Sequence, residues 1–426
     1  MGTFLFGLFY DFILFLVLVA MLPKVLWTRS KPLEGIKQRL GMEITAISKG
    51  SRKLVWVHAV SLGETKAVTA LVERLRVEMN DPIFVISSIT ETGHAEAKRA
   101  FPFAAQHLYL PADFQSVTKN VIQKITPDLV ILTETDYWYN FLNQAKLAGA
   151  KLVVVNGKLS ERSTQRYKML PWFANRLFGQ FDHICVQSTD YLERFKAVGV
   201  DSAKLSVTGN LKFDAVQNHL SIDDMATLKA RLGVVESDRV LTAGSTHDPE
   251  EKLLIDSCRI LWAKHPNLKL LLVPRHPERF EEVANLLTKE GISFGRYSAG
   301  VALNPDDRVV LIDTTGVLKE CYQISELAIV AGSYTERVGG HNLLEPCHYG
   351  IPVLFGPHMQ SQPELERLVL EAKAGIQVQP DDLPAAIDSL LDSAEKREEI
   401  RQAAKRLIEA NQGSIQRTLQ AIKPFF

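Results

Sequence analysis

The sequence lacks the signals of several common protein classes. Lys+Arg and Asp+Glu both number 49, so the formal net charge is zero and gives no argument for nucleic-acid binding. The four cysteines have no CxxC spacing, which indicates neither a zinc site nor a disulfide framework and favours a reducing, cytosolic setting. The absence of GxGxxG, Walker and HExxH motifs argues against a standard dinucleotide-binding oxidoreductase, a P-loop NTPase and a zincin protease.

The N-terminal stretch is the longest apolar run. Phe4 to Leu22 contains one charge, Asp11, and is long enough to span a bilayer as a helix. No basic segment precedes it and no clear cleavage site follows, so the pattern favours a membrane anchor, residues 1–30, over a cleaved signal peptide. Lys24 and Lys37 belong to a basic stretch that predicts a cytoplasmic location for the rest of the chain. Because Asp11 is charged, the segment is also compatible with a helix that lies in the membrane interface. A buried helix of a soluble protein is the alternative.

The remaining chain is too long for one ordinary domain. Strand-like and helix-like segments alternate from Lys53 onward, and the pattern repeats from Val240, which predicts parallel, doubly wound sheets. We therefore expect an α/β protein with two Rossmann-like domains facing across a cleft, at residues 31–218 and 219–400. The C-terminal helix, 401–426, is expected to pack back on the first domain. In such sheets, ligands bind beyond the carboxyl ends of the strands.

A glycine pair marks one such strand end. Gly339 and Gly340 follow an apolar strand and precede a short helix that is expected to end near Gly350. Free N–H groups at a helix start bind anions, so this turn predicts a donor-nucleotide or phosphate site. Asn342 is expected to cap the helix and Glu345 to accept hydrogen bonds from ligand hydroxyls. The alternative is a glycine-rich turn that binds nothing.

Other strand ends of the second half carry small, hydroxylated or basic residues. Ser245, Thr246 and His247 follow one strand, and Pro274 and Arg275 follow the next. A further strand leads to Gly316. Such residues suit a charged sugar nucleotide.

The first half carries carboxylates at its strand ends. Glu64 follows a strand and a tight turn, and it is predicted to be a general base that the helix dipole keeps ionised. Glu134 and Asp136 are predicted to contact an acceptor or to stabilise an oxocarbenium-like transition state. Lys212 is a candidate to neutralise a phosphate or carboxylate. Helix capping is the alternative for these carboxylates.

Basic and aromatic residues interleave between Asn156 and Arg176. Lys158, Arg162 and Arg166 alternate there with aromatic side chains. This pattern suits an anionic, lipid-like partner or a membrane surface, and the alternative is a solvated loop and helix.

The ordered set of these motifs, over nearly the whole chain, resembles the 3-deoxy-D-manno-octulosonic acid (Kdo) transferases of lipopolysaccharide biosynthesis. The resemblance implies a membrane-anchored, inverting glycosyltransferase of the GT-B fold on the cytoplasmic side of the cell inner membrane. It further implies CMP-Kdo as donor, a lipid A precursor (lipid IVA) as acceptor, and no metal.

The resemblance also implies residue roles. Glu64 corresponds to the proton acceptor, and Glu134 and Lys212 correspond to the transition-state stabilisers. Ser245, Thr246, His247, Gly339 and Gly340 remain possible donor contacts, and Lys158, Arg162 and Arg166 remain possible acceptor contacts. The implied CMP contacts are Pro274, Arg275, Gly316, Val317, Leu318, Asn342, Leu343, Leu344 and Glu345.

Two other functions are compatible with the pattern. One is a GT-B-like sugar-nucleotide epimerase, which would act on its donor without an acceptor. The other is a non-catalytic, membrane-tethered binding protein, which would release no CMP.

Overall fold

The computed structural model describes residues 3–28, 35–215, 218–301 and 303–426. They fall into two units, each with its own parallel sheet. The N-terminal unit comprises the chain up to residue 216 together with 412–426, and the C-terminal unit comprises 217–411. The predicted boundary between residues 30 and 31 lies outside the described residues.

The sheet of the N-terminal unit has seven parallel strands in the order β3-β2-β1-β4-β5-β6-β7. The strands are β1 (Leu54–His58), β2 (Ile83–Ser88), β3 (Gln106–Tyr109), β4 (Leu129–Thr133), β5 (Lys151–Gly157), β6 (His183–Val186) and β7 (Leu205–Val207). The helices are α1 (Thr3–Thr28), α2 (Ile36–Arg39), α3 (Leu62–Glu78), α4 (Glu91–Ala100), α5 (Gln115–Ile125), α6 (Tyr139–Leu147), α7 (Glu161–Met169), α8 (Pro171–Phe178) and α9 (Thr189–Ala197).

The C-terminal unit repeats this plan in the order β10-β11-β9-β8-β12-β13-β14. The strands are β8 (Arg239–Thr246), β9 (Leu268–Pro274), β10 (Phe294–Arg296), β11 (Val309–Leu311), β12 (Leu327–Val330), β13 (Val353–Phe355) and β14 (Gly375–Gln377). The helices are α10 (Ile222–Arg231), α11 (Glu250–Leu261), α12 (Phe280–Lys289), α13 (Leu318–Gln323), α14 (Leu344–His348), α15 (Pro363–Glu371), α16 (Leu383–Asp392) and α17 (Ala394–Asn411).

The last helix, α18 (Ser414–Ile422), belongs to the N-terminal unit. Leu419 and Ile422 pack into the core beside Val55, and Asp214 accepts hydrogen bonds from the N–H groups of Gly413 and Ile415. The chain therefore changes units between residues 411 and 412 and not between 400 and 401, because α17 completes the C-terminal unit.

Central strands of both sheets are apolar because helices cover both of their faces. Every residue of β1 and β4 is buried. Trp56 packs on one face of the first sheet with the aromatic core of α6 and α8, and Val57 packs on the other face with α3. The predicted pair of parallel, doubly wound α/β domains is confirmed.

Each sheet reverses its winding direction beside its first strand. In the N-terminal unit, β1 lies between β2 and β4, and in the C-terminal unit β8 lies between β9 and β12. The loops that leave β1 and β4 diverge, as do those that leave β8 and β12, and such switch points are where ligands bind in open α/β sheets.

The N-terminal helix α1 docks one side onto its own unit. The Phe6 ring lies 4.7 Å from the Tyr139 ring, between centroids, and the Asp11 carboxylate accepts a 2.7 Å hydrogen bond from the Asn140 amide. Asp11 also accepts from the N–H of Gln115 at the start of α5. Within the part of the chain that is described, no helix is both long and apolar enough to cross a membrane, so the predicted spanning anchor is not supported.

Candidate functional site

Glu64 lies in the first turn of α3, beyond the end of β1. Its Oε2 accepts a 2.8 Å hydrogen bond from the N–H of Val60, which fixes the carboxyl group on the turn. Burial and the negative charge of Glu134 raise the pKa of Glu64 to about 8. This direction is opposite to the expectation that the helix dipole keeps Glu64 ionised, because burial and the nearby Glu134 carboxylate favour the protonated form.

Glu134 lies at the end of the neighbouring strand β4 and is almost fully buried. Its carboxylate contacts Lys158 Nζ at 2.5 Å, the Asn156 amide at 3.1 Å and Lys212 Nζ at 3.9 Å. Burial alone would raise the pKa of Glu134, but Lys212 and Lys158 outweigh it and the pKa is lowered. The two glutamates thus differ in protonation near neutral pH, which is typical of an acid–base site.

A chain of amide side chains holds these charges in place. Asn156 donates to Glu134, and its Oδ1 accepts a 2.9 Å hydrogen bond from the N–H of Leu211. Gln187 donates to the Asn156 carbonyl and accepts from the Asn210 amide. Asn210 in turn accepts from the backbone N–H of Lys212. Sequence reasoning missed Gln187 and Asn210, although each is an amide side chain just beyond a strand.

The ammonium of Lys158 contacts the Glu134 carboxylate, while 35% of the Lys158 side chain stays exposed. Burial would lower the pKa of Lys158, but the attraction of Glu134 raises it, so the ammonium stays charged. The Lys158 charge also acts on Glu64, where it partly offsets the rise in pKa caused by burial and Glu134. Glu64, Glu134 and Lys158 therefore influence one another. Arg162 and Arg166, the other predicted acceptor contacts, are exposed on α7.

The segment after Glu134 forms part of the core. Tyr137 stacks edge-on against Phe178 and Phe181, and its hydroxyl donates a 3.0 Å hydrogen bond to the Glu134 carbonyl. Asp136 has a left-handed backbone and lies 4.0 Å from the buried His58 ring. This segment therefore holds Glu134 through its backbone.

The glycine pair of the C-terminal unit is explained by its own loop. Gly339 and Gly340 both have positive φ. A Cβ at Gly340 would lie 2.3 Å from Met359 Sδ, and one at Gly339 would lie 2.6 Å from Ser361 Oγ. At Gly316, also with positive φ, a Cβ would meet no atom within 4 Å, so the backbone there is open to a ligand.

The predicted CMP contacts lie at the end of β9 and in the loops and helix starts that follow β9, β11 and β12. Asn342 Oδ1 accepts a 3.1 Å hydrogen bond from the N–H of Leu344, at the start of the one-turn helix α14. Arg275 is exposed just beyond β9. Four of the predicted residues are buried: Pro274, Val317, Leu343 and Leu344. Three others are partly or fully accessible: Gly316, Leu318 and Glu345.

A buried carboxylate joins the loops at the switch point of the second sheet. Glu250 accepts hydrogen bonds from the N–H groups of His247 (2.9 Å), Gly332 (2.7 Å) and Tyr334 (2.9 Å). Beside it, Ser245 has positive φ and Thr246 is buried at the end of β8. Sequence reasoning missed Glu250, which is a positioning residue because it fixes the loops after β8 and β12 together.

Two parallel-sheet units with polar strand ends are the architecture of the GT-B-like glycosyltransferases. A family model for "Glycosyl transferases group 1" matches residues 249–407. A second model, "3-Deoxy-D-manno-octulosonic-acid transferase (kdotransferase)", matches residues 34–215. The protein is therefore a glycosyltransferase.

Its family follows from full-length relatives. A 3-deoxy-D-manno-octulosonic acid transferase of Chlamydia muridarum is 34% identical over 421 residues, which cover 97% of this chain and 96% of the relative. The transferase of the same description from Haemophilus influenzae is 36% identical and covers 87% of each chain. The chain belongs to the 3-deoxy-D-manno-octulosonic acid transferase family.

Solved structures show the same fold at low sequence identity. A glycosyltransferase from Rickettsia africae superposes with a TM-score of 0.60 at 14% identity, covering 88% of this chain and 99% of that one. UDP-GlcNAc 2-epimerase from Neisseria meningitidis gives a TM-score of 0.59, also at 14% identity, over 87% of this chain and 100% of that one. Epimerases and transferases share this fold, so it does not distinguish between them.

Proposed function

We propose that this Kdo transferase moves Kdo from CMP-Kdo to a lipid A precursor, lipid IVA, and releases CMP. The carrying observation is the pair of glutamates beside β1 and β4, one with a raised pKa and one held anionic by two lysines. A carboxyl group with a pKa near 8 is well matched to accept a proton from an acceptor hydroxyl. The full-length relatives named Kdo transferases support the choice of transferred sugar.

In the proposed reaction, ionised Glu64 accepts the proton of the acceptor hydroxyl. The hydroxyl oxygen forms a bond to the anomeric carbon while the bond from that carbon to the CMP oxygen breaks. The CMP phosphate leaves with the electron pair from the opposite face, so the configuration inverts. Glu134 stabilises positive charge on the sugar ring, and Lys212 balances that carboxylate 3.9 Å away.

The donor is proposed to bind the C-terminal unit. Arg275 pairs with the CMP phosphate, and the open backbone at Gly316 allows the nucleotide to approach closely. The backbone from Asn342 to Glu345 completes the site. We propose that the arginine and lysine side chains supply the positive charge, without a metal, so transfer should persist in the presence of EDTA.

The acceptor is proposed to reach the N-terminal unit from a membrane surface. The outward side of α1 exposes large apolar side chains, and Trp172 on α8 is also exposed, 5.9 Å from the Phe6 ring. Arg162 and Arg166 on the adjoining α7 suit the phosphates of the lipid. The exposed apolar residues of α1 include Leu5, Leu8, Phe9, Phe12, Ile13, Phe15, Leu16, Val17, Leu18 and Val19. We propose that α1 lies on the cytoplasmic face of the cell inner membrane.

The test of the catalytic assignment is Glu64→Ala. Transfer to the lipid acceptor should fall by at least about 10³-fold, since the general base is lost, while CMP affinity stays within about twofold. Glu73→Gln, an exposed position of the same helix, is the matched control and should leave the rate unchanged. Normal turnover by Glu64→Ala would refute the assignment. Conversion of the sugar nucleotide without any acceptor would instead indicate an epimerase.

A further inference from the structure

His247 and His341 form a hydrogen-bonded imidazole pair at the switch point of the second sheet. Their Nε2 atoms lie 2.8 Å apart, and the rings stack with centroids 5.1 Å apart at an angle of 16°. One ring donates its Nε2 proton and the other accepts it, so the pair shares one proton along this bond.

The fold makes room for this pair and holds it. A Cβ at Gly332 would lie 2.6 Å from His341 Cδ2, so the glycine clears the space that the ring occupies. Glu250 accepts the backbone N–H groups of both His247 and Gly332, which fixes the two loops that carry the rings. The placement of the imidazoles is therefore determined by the surrounding chain.

Arginine side chains act electrostatically on the pair. The His276 ring lies 5.2 Å from the His247 ring, and Arg275, Arg279 and Arg337 act on His247 electrostatically. Arg279 is neutralised by Glu251 at 2.6 Å. The guanidinium groups of Arg275 and Arg337 have no ion-pair partner among the residues described.

The carboxyl group of Glu250 lies close to His247 along the chain, at the start of α11, and three backbone N–H groups occupy its oxygens. Burial and the positive neighbours lower the pKa of His247 to about 4 and that of His341 to about 3, so both rings are neutral without a ligand. Two neutral imidazoles among unpaired cations form a site that an anion completes.

The donor proposed above carries two anionic groups. Its phosphate and its carboxylate are both attached to the anomeric carbon, so they require neighbouring subsites, each with a cation or an N–H donor. Arg275 is assigned to the phosphate. We infer that the His247–His341 pair binds the carboxylate of the acidic sugar, and that it thereby selects acidic-sugar nucleotides over neutral ones. This inference rests on the proposed function.

Comparison of the donor with CMP tests this inference, because CMP has the phosphate but lacks the carboxylate. The KM for CMP-Kdo and the inhibition constant of CMP are measured for the wild type, His341→Asn and His247→Asn. We expect KM to rise about tenfold or more in both variants, since a charge-assisted hydrogen bond is lost. The inhibition constant of CMP should stay within about twofold, and kcat should change much less than KM.

His265→Asn is the matched control. His265 lies before the start of β9, whereas the histidine pair follows the carboxyl ends of strands, and the His265 ring is hydrogen-bonded to Asp388. This variant should leave KM and CMP inhibition unchanged. An unchanged KM in the pair variants, or an equal loss of CMP affinity, would overturn the inference. Retained CMP affinity itself shows that a variant is folded, and if one variant unfolds the other decides. Absence of Kdo transfer by the wild type would refute the proposed function. Normal transfer by the wild type with an unchanged KM in the pair variants would refute only the role of the histidines.

Discussion

At the residue scale, the chemistry depends on the different pKa shifts of two neighbouring carboxyl groups, Glu64 and Glu134. Both carboxyl groups leave water, but only Glu134 has two lysines beside it. Glu64 has a backbone N–H and the repulsion of Glu134, so its proton is held more tightly. The base is therefore strong when ionised, and it is ionised in only a minority of molecules at neutral pH.

The first prediction concerns the pH profile. Because Glu64 must be deprotonated to act, kcat/KM should rise with pH, reach half of its limit near the free-enzyme pKa of about 8 and level off above it. In Glu134→Gln the neighbouring negative charge is gone, so the pKa of Glu64 falls and the acidic limb should move to lower pH, even though the rate drops. A limb that stays in place would contradict the coupling.

A second prediction concerns stability. Lys158→Met removes the nearer of the two cations beside the buried Glu134 carboxylate and leaves the Asn156 amide and the more distant Lys212, so the free energy of unfolding should fall by about 3 kcal/mol. Lys196→Met, which breaks an exposed pair with Glu193, should cost less than about 1 kcal/mol. Chemical denaturation measures both, and equal losses would show that the Glu134 pair is not special.

At the element scale, the helix α1 combines a docked side and an outward apolar side. Its composition alone predicts a spanning anchor, because Asp11 is one charge in an apolar run. The partners of Asp11 are Gln115 and Asn140, which are 104 and 129 residues away in the sequence, so no local pattern could identify them. The strands, in contrast, were predictable, since buried parallel strands are continuous apolar runs.

A third prediction separates the two sides of this helix. In Asp11→Ala, the Gln115 N–H and the Asn140 amide lose their acceptor, so hydrogen exchange at the first turn of α5 should accelerate and stability should fall by about 1–3 kcal/mol. Phe12→Ser, at the adjoining exposed position, should leave exchange unchanged but weaken binding to anionic vesicles. Faster exchange in Phe12→Ser together with weaker vesicle binding in Asp11→Ala would refute the proposed orientation of α1.

The turns show the same division between local and tertiary information. The sequence indicates that Gly339, Gly340 and Gly316 are needed, but not why. The first two clear space for the Met359–Ser361 loop, whereas Gly316 faces open space. Packing therefore accounts for the backbone geometry of the glycine pair, and the open backbone lies at Gly316.

At the scale of the whole molecule, the two units share one sheet topology but carry different functional groups at their strand ends. Each sheet reverses beside its first strand, and each switch point carries a buried glutamate that organises it: Glu134 in the N-terminal unit and Glu250 in the C-terminal unit. The alternation of strands and helices predicts this plan. It does not predict the protonation of Glu64 or the pairing of His247 with His341, because both depend on strand ends that are distant in sequence.

Transfer in vitro tests most directly whether this chain moves Kdo onto a lipid acceptor. The purified chain is incubated with CMP-Kdo and a tetraacylated disaccharide bisphosphate, and lipid mass and CMP release are measured together. We predict a lipid heavier by whole Kdo residues, one CMP released for each residue added, and loss of both in Glu64→Ala. Binding of CMP-Kdo without any change in lipid mass would contradict the proposed transfer to lipid.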